Sequence, residues 1–296
     1  MYNITHIINT IHPEENAELY KRQSLTIESM RLAKKFCAQN VSLAAIQYAK
    51  IDDGLPQEFD LLPPLERSVQ DFVPCTSRKL PLIQEVLLRA KKNVSCDYLI
   101  YTNCDIILTP HFYESVAYYL NKGHDALVIN RQRISISLDQ VSDLPAIFAE
   151  KGMIHPGFDC FVFSPHLLES IKMDAICLGI PFIGVGLAHW VFSLSENPLF
   201  LPNANLTRHI GLEVMPPVDS ELYKHNRQAF NRIKKTIPWK ENLHKFPYAL
   251  RPFPNNLWRW GLNPSLSTRD FLEWKMWSWR RKLGFFLNQK RWNQLK

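Results

Sequence analysis

Cys96-Asp97-Tyr98-Leu99-Ile100-Tyr101-Thr102-Asn103-Cys104-Asp105 is the stretch on which the reading of this chain turns. The short apolar run at residues 98–101 has the length and composition of a buried strand. It stops abruptly in Thr-Asn-Cys-Asp, and the segment from Pro110 onward reads as a helix. Asn103 and Asp105, two residues apart, therefore stand at the carboxyl end of a buried strand, where open α/β sheets bind ligands. From an extended loop both side chains would point the same way. Together they would suit a hard divalent cation, which takes oxygen ligands and shares them with substrate phosphates. The same pair equally suits a plain strand end, with a capping Asp and a turn Asn. The rest of the chain has to decide between the two.

Working outward, the β-branched run at residues 4–11 reads as a first strand, closed by the turn signal His12-Pro13. Residues 18–39 carry helical spacing through Leu25, Met30, Ala33 and Phe36, and residues 41–48 read as a second strand. The Pro- and Asp-rich region 51–81 reads as a long surface loop, a kind of segment that tends to be functional. A helix is expected over 80–90, with Pro81 tolerated in its first turn, and another over 110–120, ended by Gly123. Residues 126–130 form a further strand running into Arg131-Gln132-Arg133. His155-Pro156-Gly157-Phe158-Asp159 is a turn feeding the hydrophobic strand Cys160-Phe161-Val162-Phe163. Residues 184–194 suit a helix, and 206–211 a short strand or loop. This alternation predicts an α/β fold with a mostly parallel central sheet flanked by helices.

Composition supports one large domain with a tail. Of 296 residues, 46% are hydrophobic and 12% aromatic, enough for a sizeable core. The net charge of +7 is uneven: residues 269–296 hold eight Lys/Arg against two acids, leaving the remainder near neutral. A broad nucleic-acid-binding face on the main domain is thereby disfavoured. The six cysteines form no C-x-x-C pair or metal-finger spacing and read as buried thiols of a reducing compartment. No run approaches the ~20 apolar residues of a membrane span, and the first residues lack the features of a secretory leader, so a cytoplasmic setting is expected.

This ordered set of parts resembles the nucleotide-sugar-dependent glycosyltransferases of the GT-A fold, close to glycosyltransferase family 2, over roughly residues 4–211. The resemblance implies a Rossmann-like GT-A catalytic domain at 1–215, with a nucleotide-binding half at 1–130 and an acceptor half at 131–215. A C-terminal helical, basic and aromatic extension would follow at 216–296. In that family a D-x-D motif at the end of a central strand holds Mn²⁺ or Mg²⁺ against the donor diphosphate. Asp105 matches the second acid, whereas Asn103, an oxygen donor without charge, stands where the first would be. His209, in Thr207-Arg208-His209-Ile210-Gly211, resembles the late histidine that completes such a metal site. Asp159 sits where these enzymes place an acceptor-site carboxylate. Thr102, Arg78 and Arg131 are expected to line the donor, with Arg78 in the segment Thr76-Ser77-Arg78-Lys79.

The chemistry can be stated without the family. Breaking the bond from an anomeric carbon to a phosphate builds charge on the departing diphosphate, which a divalent cation or cationic side chains must offset. Asp105, Asn103 and His209 would form that clamp, with Arg131 or Arg133 in support. An inverting transfer needs a carboxylate to take the acceptor hydroxyl proton, and Asp159 is the first candidate. The bland readings remain: His209 and His155 as structural residues, Arg131 and Arg133 as solvated strand ends, Asp159 as a paired buried acid.

Along the tail, Leu272, Met276, Trp279, Leu283 and Phe286 fall on one helical stripe, interleaved with Arg and Lys. Such a helix either packs on its own domain or lies in the headgroup layer of an anionic membrane, which would suit a lipid-linked acceptor. The acceptor itself, glycan, lipid-linked or protein, is open. Two alternatives stand beside a glycosyltransferase. A sugar nucleotidyltransferase would need a glycine-rich loop after the first strand, where Asn9-Thr10-Ile11-His12-Pro13 stands instead. A non-catalytic membrane-associated binding protein on a GT-A scaffold would account for Asn103.

Overall fold

The computed structural model describes residues 1–48, 55–134, 140–155, 157–211 and 219–238, together with Phe246 and Leu283. The chain opens with β1 (Asn3–Asn9), whose residues from Ile4 onward are all buried, as both-face coverage of an interior parallel strand requires. Next comes α1 (Ala17–Lys35), capped by the Asn16 side chain, which accepts from the Leu19 N–H at 3.0 Å. The Gln23 amide bonds both the N–H and the carbonyl of Ile11, so α1 holds the loop that leaves β1.

The remaining elements are β2 (Asn40–Ile46), β3 (Phe59–Leu61), α2 (Ile83–Asn93), β4 (Tyr98–Thr102), β5 (Ile107–Leu108), α3 (Phe112–Asn121), β6 (Ala126–Ile129), β7 (Gln132–Ile134), α4 (Leu144–Ala149), β8 (Met153–Ile154), β9 (Cys160–Phe163), α5 (Ile183–Leu194), β10 (Pro198–Leu201), β11 (Thr207–Ile210) and α6 (Ser220–Ile233). Among the described residues they build a seven-stranded sheet, β10-β6-β9-β4-β1-β2-β3, and a four-stranded sheet, β5-β11-β7-β8. The large sheet is parallel except for β9, which runs against both β4 and β6.

Strand alternation divides the large sheet's side chains between two cores. Leu99, Tyr101, Ala126, Val128, Phe161 and Phe163 pack against α2, α5 and α6. Ile100, Leu127, Ile129, Cys160 and Val162 pack against α1 and α3. The expected mostly parallel sheet with helices on both faces is therefore present, and strand and helix ends lie within a few residues of the sequence reading. Gly123 ends α3 at φ +89°, a left-handed turn that suits glycine.

Three expectations change in detail. The loop expected over 51–81 holds β3 and a 3₁₀ turn at Val69–Asp71. Helix α2 starts at Ile83 rather than 80 because Pro81 and Leu82 are drawn into β-bridges with Ser68 and Cys177. The extension expected from residue 216 is not separate at its start, because Phe230, Ile233 and Phe246 bury themselves in the core beneath α5. The membrane-binding stripe expected in 269–296 lies outside the described residues, apart from the exposed Leu283. No helix among the described residues is long and apolar enough to cross a membrane.

One polar side chain ties β1 to β4 and α3 deep in the second core. His6 is fully buried, its Nδ1 2.9 Å from the Tyr113 hydroxyl and its Nε2 2.9 Å from the Thr102 hydroxyl. Burial lowers its pKa to about 3. Native His6 thus stays neutral while the unfolded chain protonates near pH 6.5, so stability rises with pH through that range. Replacing His6 by Gln should flatten the slope of unfolding free energy between pH 7 and 5 by up to about 1.4 kcal/mol per pH unit. Urea melts at stepped pH read this directly, and an unchanged slope would contradict it.

Candidate active site

The reversed strand β9 decides what meets at the carboxyl edge of the sheet. Cys160 pairs with Thr102 of β4 on one side and with Ile129 of β6 on the other. One residue closer to the edge, after Thr102 and Ile129 and before Cys160, Asn103, Asn130 and Asp159 fall side by side. The Asn103 amide donates to Asp159 Oδ1 at 3.3 Å, and the Asn103 oxygen accepts from the Tyr101 hydroxyl at 3.1 Å. Arg131 Nη1 stands 3.0 Å from the same Asp159 oxygen, the two side chains being 10% and 13% exposed.

The small sheet adds two histidines. Pairing of β7 with β8 continues past the strand end, so that the His155 N–H donates to the Arg131 carbonyl. The Arg131 guanidinium in turn donates to His155 Nε2 at 3.3 Å. A side chain at Gly157 would put its Cβ 2.6 Å from that same nitrogen, so only glycine leaves the ring its place. Strand β11 pairs Arg208 with Ile107 of β5, which sets His209 beside the Asp105 turn. His209 Nε2 lies 3.1 Å from Asp105 Oδ2. Arg208 pins this strand by donating to the carbonyls of Phe148 and Glu150 at the end of α4.

Burial and charge set the protonation states. Burial works against ionisation of Asp105, but contact with His209 and the positive charges of Arg131 and Arg22 outweigh it and hold the carboxyl below its usual range. Burial and the Arg131 charge press the proton off His209, against the pull of Asp105. At neutral pH a neutral His209 therefore donates to an ionised Asp105. His155 is lowered too, by burial first and then by Arg131 and Arg133. Asp159 is raised, chiefly by burial and also by the Asp105 charge, with Arg131 pulling the other way. Asp159 Oδ2, His155 Nδ1 and His209 Nδ1 are buried without a hydrogen-bond partner.

Of the sequence-predicted residues, Asp105, Asn103, His209, Asp159 and Arg131 come together. Thr102 does not: it faces the opposite core and its hydroxyl is held by His6. Arg78 does not either. It is exposed, and its charge acts on Cys177 rather than on the two carboxylates. Its neighbour Lys79 sits 4.3 Å over the Tyr48 ring, beyond the end of β2. The sequence reading missed Tyr101 as a partner of Asn103 and His155 as the acceptor that orients Arg131. All six cysteines are free thiols, and burial pushes Cys104 and Cys160 upward, away from the thiolate range.

The fold is that of the GT-A glycosyltransferases. Similar solved structures include S. aureus TarS 1–349 in complex with UDP-GlcNAc, with TM-score 0.55 and 11% identity over 90% of this chain and 76% of that one. The same segment of TarS in complex with UDP aligns with TM-score 0.52 and 12% identity over 93% of this chain and 78% of that one. No protein-family model and no curated protein matches the sequence.

The Arg131–Asp159 pair yields a direct test. Changing Arg131 to Met strands a buried carboxylate and should cost about 3–5 kcal/mol of stability. Combining it with Asp159→Asn should cost clearly less than the two single changes summed. Additive losses in denaturant melts would mean that the pair is not coupled.

Proposed function

We propose that this protein is a glycosyltransferase that moves a sugar from a nucleotide-sugar donor, with a uridine diphosphate sugar as the first choice. The observation that carries this reading is the convergence of Asp105–His209 and Asn103–Asp159–Arg131 at the carboxyl edge of a GT-A sheet. The structural likeness to TarS in complex with UDP-GlcNAc supports the choice of donor.

Asp105 and His209 fit a divalent cation such as Mn²⁺ or Mg²⁺. Two ligands at right angles and about 2.1–2.2 Å from a metal lie about 3 Å apart, and Asp105 Oδ2 and His209 Nε2 are 3.1 Å apart. An ionised carboxylate is a ligating form, and the neutral imidazole becomes one at Nε2 when its proton is carried on Nδ1, which has no other partner. Among the described residues no third His, Cys, Asp or Glu joins them, which leaves the remaining positions to Asn103, water and donor phosphates. Such a cation would supply charge to the departing diphosphate.

The side chains then divide the work. Asp159 offers Oδ2, which has no partner, to the acceptor hydroxyl. As the acceptor oxygen bonds to the anomeric carbon and the bond to the diphosphate breaks, Asp159 takes the hydroxyl proton. A carboxyl raised above its ordinary range is the better base for that step. Arg131 and Asn103 hold the other Asp159 oxygen and so fix its orientation.

Asp105→Asn should lower UDP-GlcNAc turnover, followed as released UDP with Mn²⁺ present, by about a hundredfold or more. Asp159→Asn should lower transfer to a comparable degree yet leave UDP binding near wild type. Full activity in Asp105→Asn would overturn the assignment. UDP binding without turnover for any sugar donor would favour the non-catalytic alternative.

The basic aromatic composition of residues 269–296 supports an acceptor carried on an anionic membrane. Deleting residues 269–296 should abolish co-sedimentation with phosphatidylglycerol-containing liposomes while leaving UDP binding intact. Undiminished sedimentation would refute the membrane contact.

A further inference from the structure

One face of α1 runs beside the Asp105 turn. Ser29 Oγ accepts the Leu108 N–H at 2.9 Å, and one turn earlier Leu25 packs with Ile107 and Ile210. Arg22 is the next residue on the same face, since positions 22, 25 and 29 share a helical stripe. The helix thus descends along the chain from Leu108 through Ile107 toward Asp105 and brings a guanidinium to that level.

Charge around the cluster is already committed. Two carboxylates, Asp105 and Asp159, lie in it, and Arg131 is engaged by Asp159 and His155. Arg133 donates to the Ile154 carbonyl from a buried position. An incoming diphosphate brings further negative charge. Arg22 is 28% exposed, and its partner is Glu18, one turn back and 77% exposed. An exposed pair of this kind is worth only about 0–1 kcal/mol. Two phosphate oxygens offer the guanidinium a bidentate, doubly charged partner instead.

We propose that Arg22 is a ligand of the donor's distal phosphate, held at the rim of the site by Glu18 and exchanged onto the diphosphate when the donor binds. The proposal rests on the reading of the cluster as a nucleotide-sugar site. It adds a contact from α1 that neither the D-x-D-like motif nor the late histidine supplies. It also gives Glu18 a role, as a competitor that keeps the guanidinium in place and lowers affinity for weaker anions.

Titration calorimetry with UDP and with UMP, Mn²⁺ in excess, tests this. Arg22→Ala should weaken UDP about tenfold or more while leaving UMP within about twofold, because only UDP carries the distal phosphate. Arg22→Lys should recover part of the loss, and Glu18→Gln should tighten UDP severalfold. Thermal melts of the free variants should match wild type. UDP affinity unchanged in Arg22→Ala would overturn the proposal, as would an equal loss for UDP and UMP. If wild type binds UDP and Asp105→Asn abolishes turnover, the donor site stands whatever Arg22 does. A wild-type protein that binds neither nucleotide removes the donor site and this contact together.

Discussion

A carboxylate buried next to another carboxylate persists only if something nearby offsets its charge. Asp159 is in that position: burial and Asp105 both act to protonate it, and Arg131 opposes them from 3.0 Å. Taking either ion out of water alone costs several kcal/mol, so neither can be placed independently. Arg131 has a further donor to satisfy, and His155 accepts it. That role needs a neutral ring, and burial together with Arg131 and Arg133 keeps it so. The protonation states are thus mutually consistent, and each residue's state depends on its neighbour.

The two sheets contribute differently. The large sheet, buried on both faces, sets Asn103, Asp159 and Arg131 by strand register, so their backbone positions follow from hydrophobic packing far from the cluster. The small sheet brings His155, just past β8, and His209 of β11 across to it. The Asp105 turn lies at the seam. Where the elements meet, buried polar atoms on Asp159, His155, His209, Asn130 and Arg131 lack partners. Packing for stability alone would have satisfied or removed them, and sites that bind polar ligands are where such atoms are expected.

Most of the fold could be read from periodicity, because interior strands such as Tyr98–Thr102 and Cys160–Phe163 are short apolar runs with abrupt polar ends. The direction of β9 could not, since an apolar run reads the same in either sense. That direction is what places Asp159, the residue before the strand, at the same edge as Asn103, the residue after β4, and the Asp105 turn that follows it. Asp105, Asn103 and His209 were legible as chemistry because each interrupts or ends an apolar segment. Thr102 and Arg78 stand apart from the cluster for physical reasons: pleating turns Thr102 to the opposite face, toward His6, and Arg78 lies on a segment whose path no local pattern specifies. His155 looked like a turn residue because its partner, Arg131, is found only by following the hairpin register between β7 and β8.

Asn103 in place of an acid is the departure most easily taken for decay, and its surroundings argue otherwise. Its amide donates to Asp159 Oδ1 at 3.3 Å, beside the Arg131 contact to the same oxygen. An aspartate there would replace that donor with a second anion against Asp159, adding a third carboxylate to a cluster where Arg131 is already engaged. Like charges at such a distance raise one another's pKa, which would drive one of the acids to its protonated form. The amide avoids that conflict. It also keeps an oxygen, shared with the Tyr101 hydroxyl, on the side where the first acid of the motif would offer one. The Asn103 amide, the Arg131 guanidinium and the His155 ring thus form one hydrogen-bonded chain that orients Asp159.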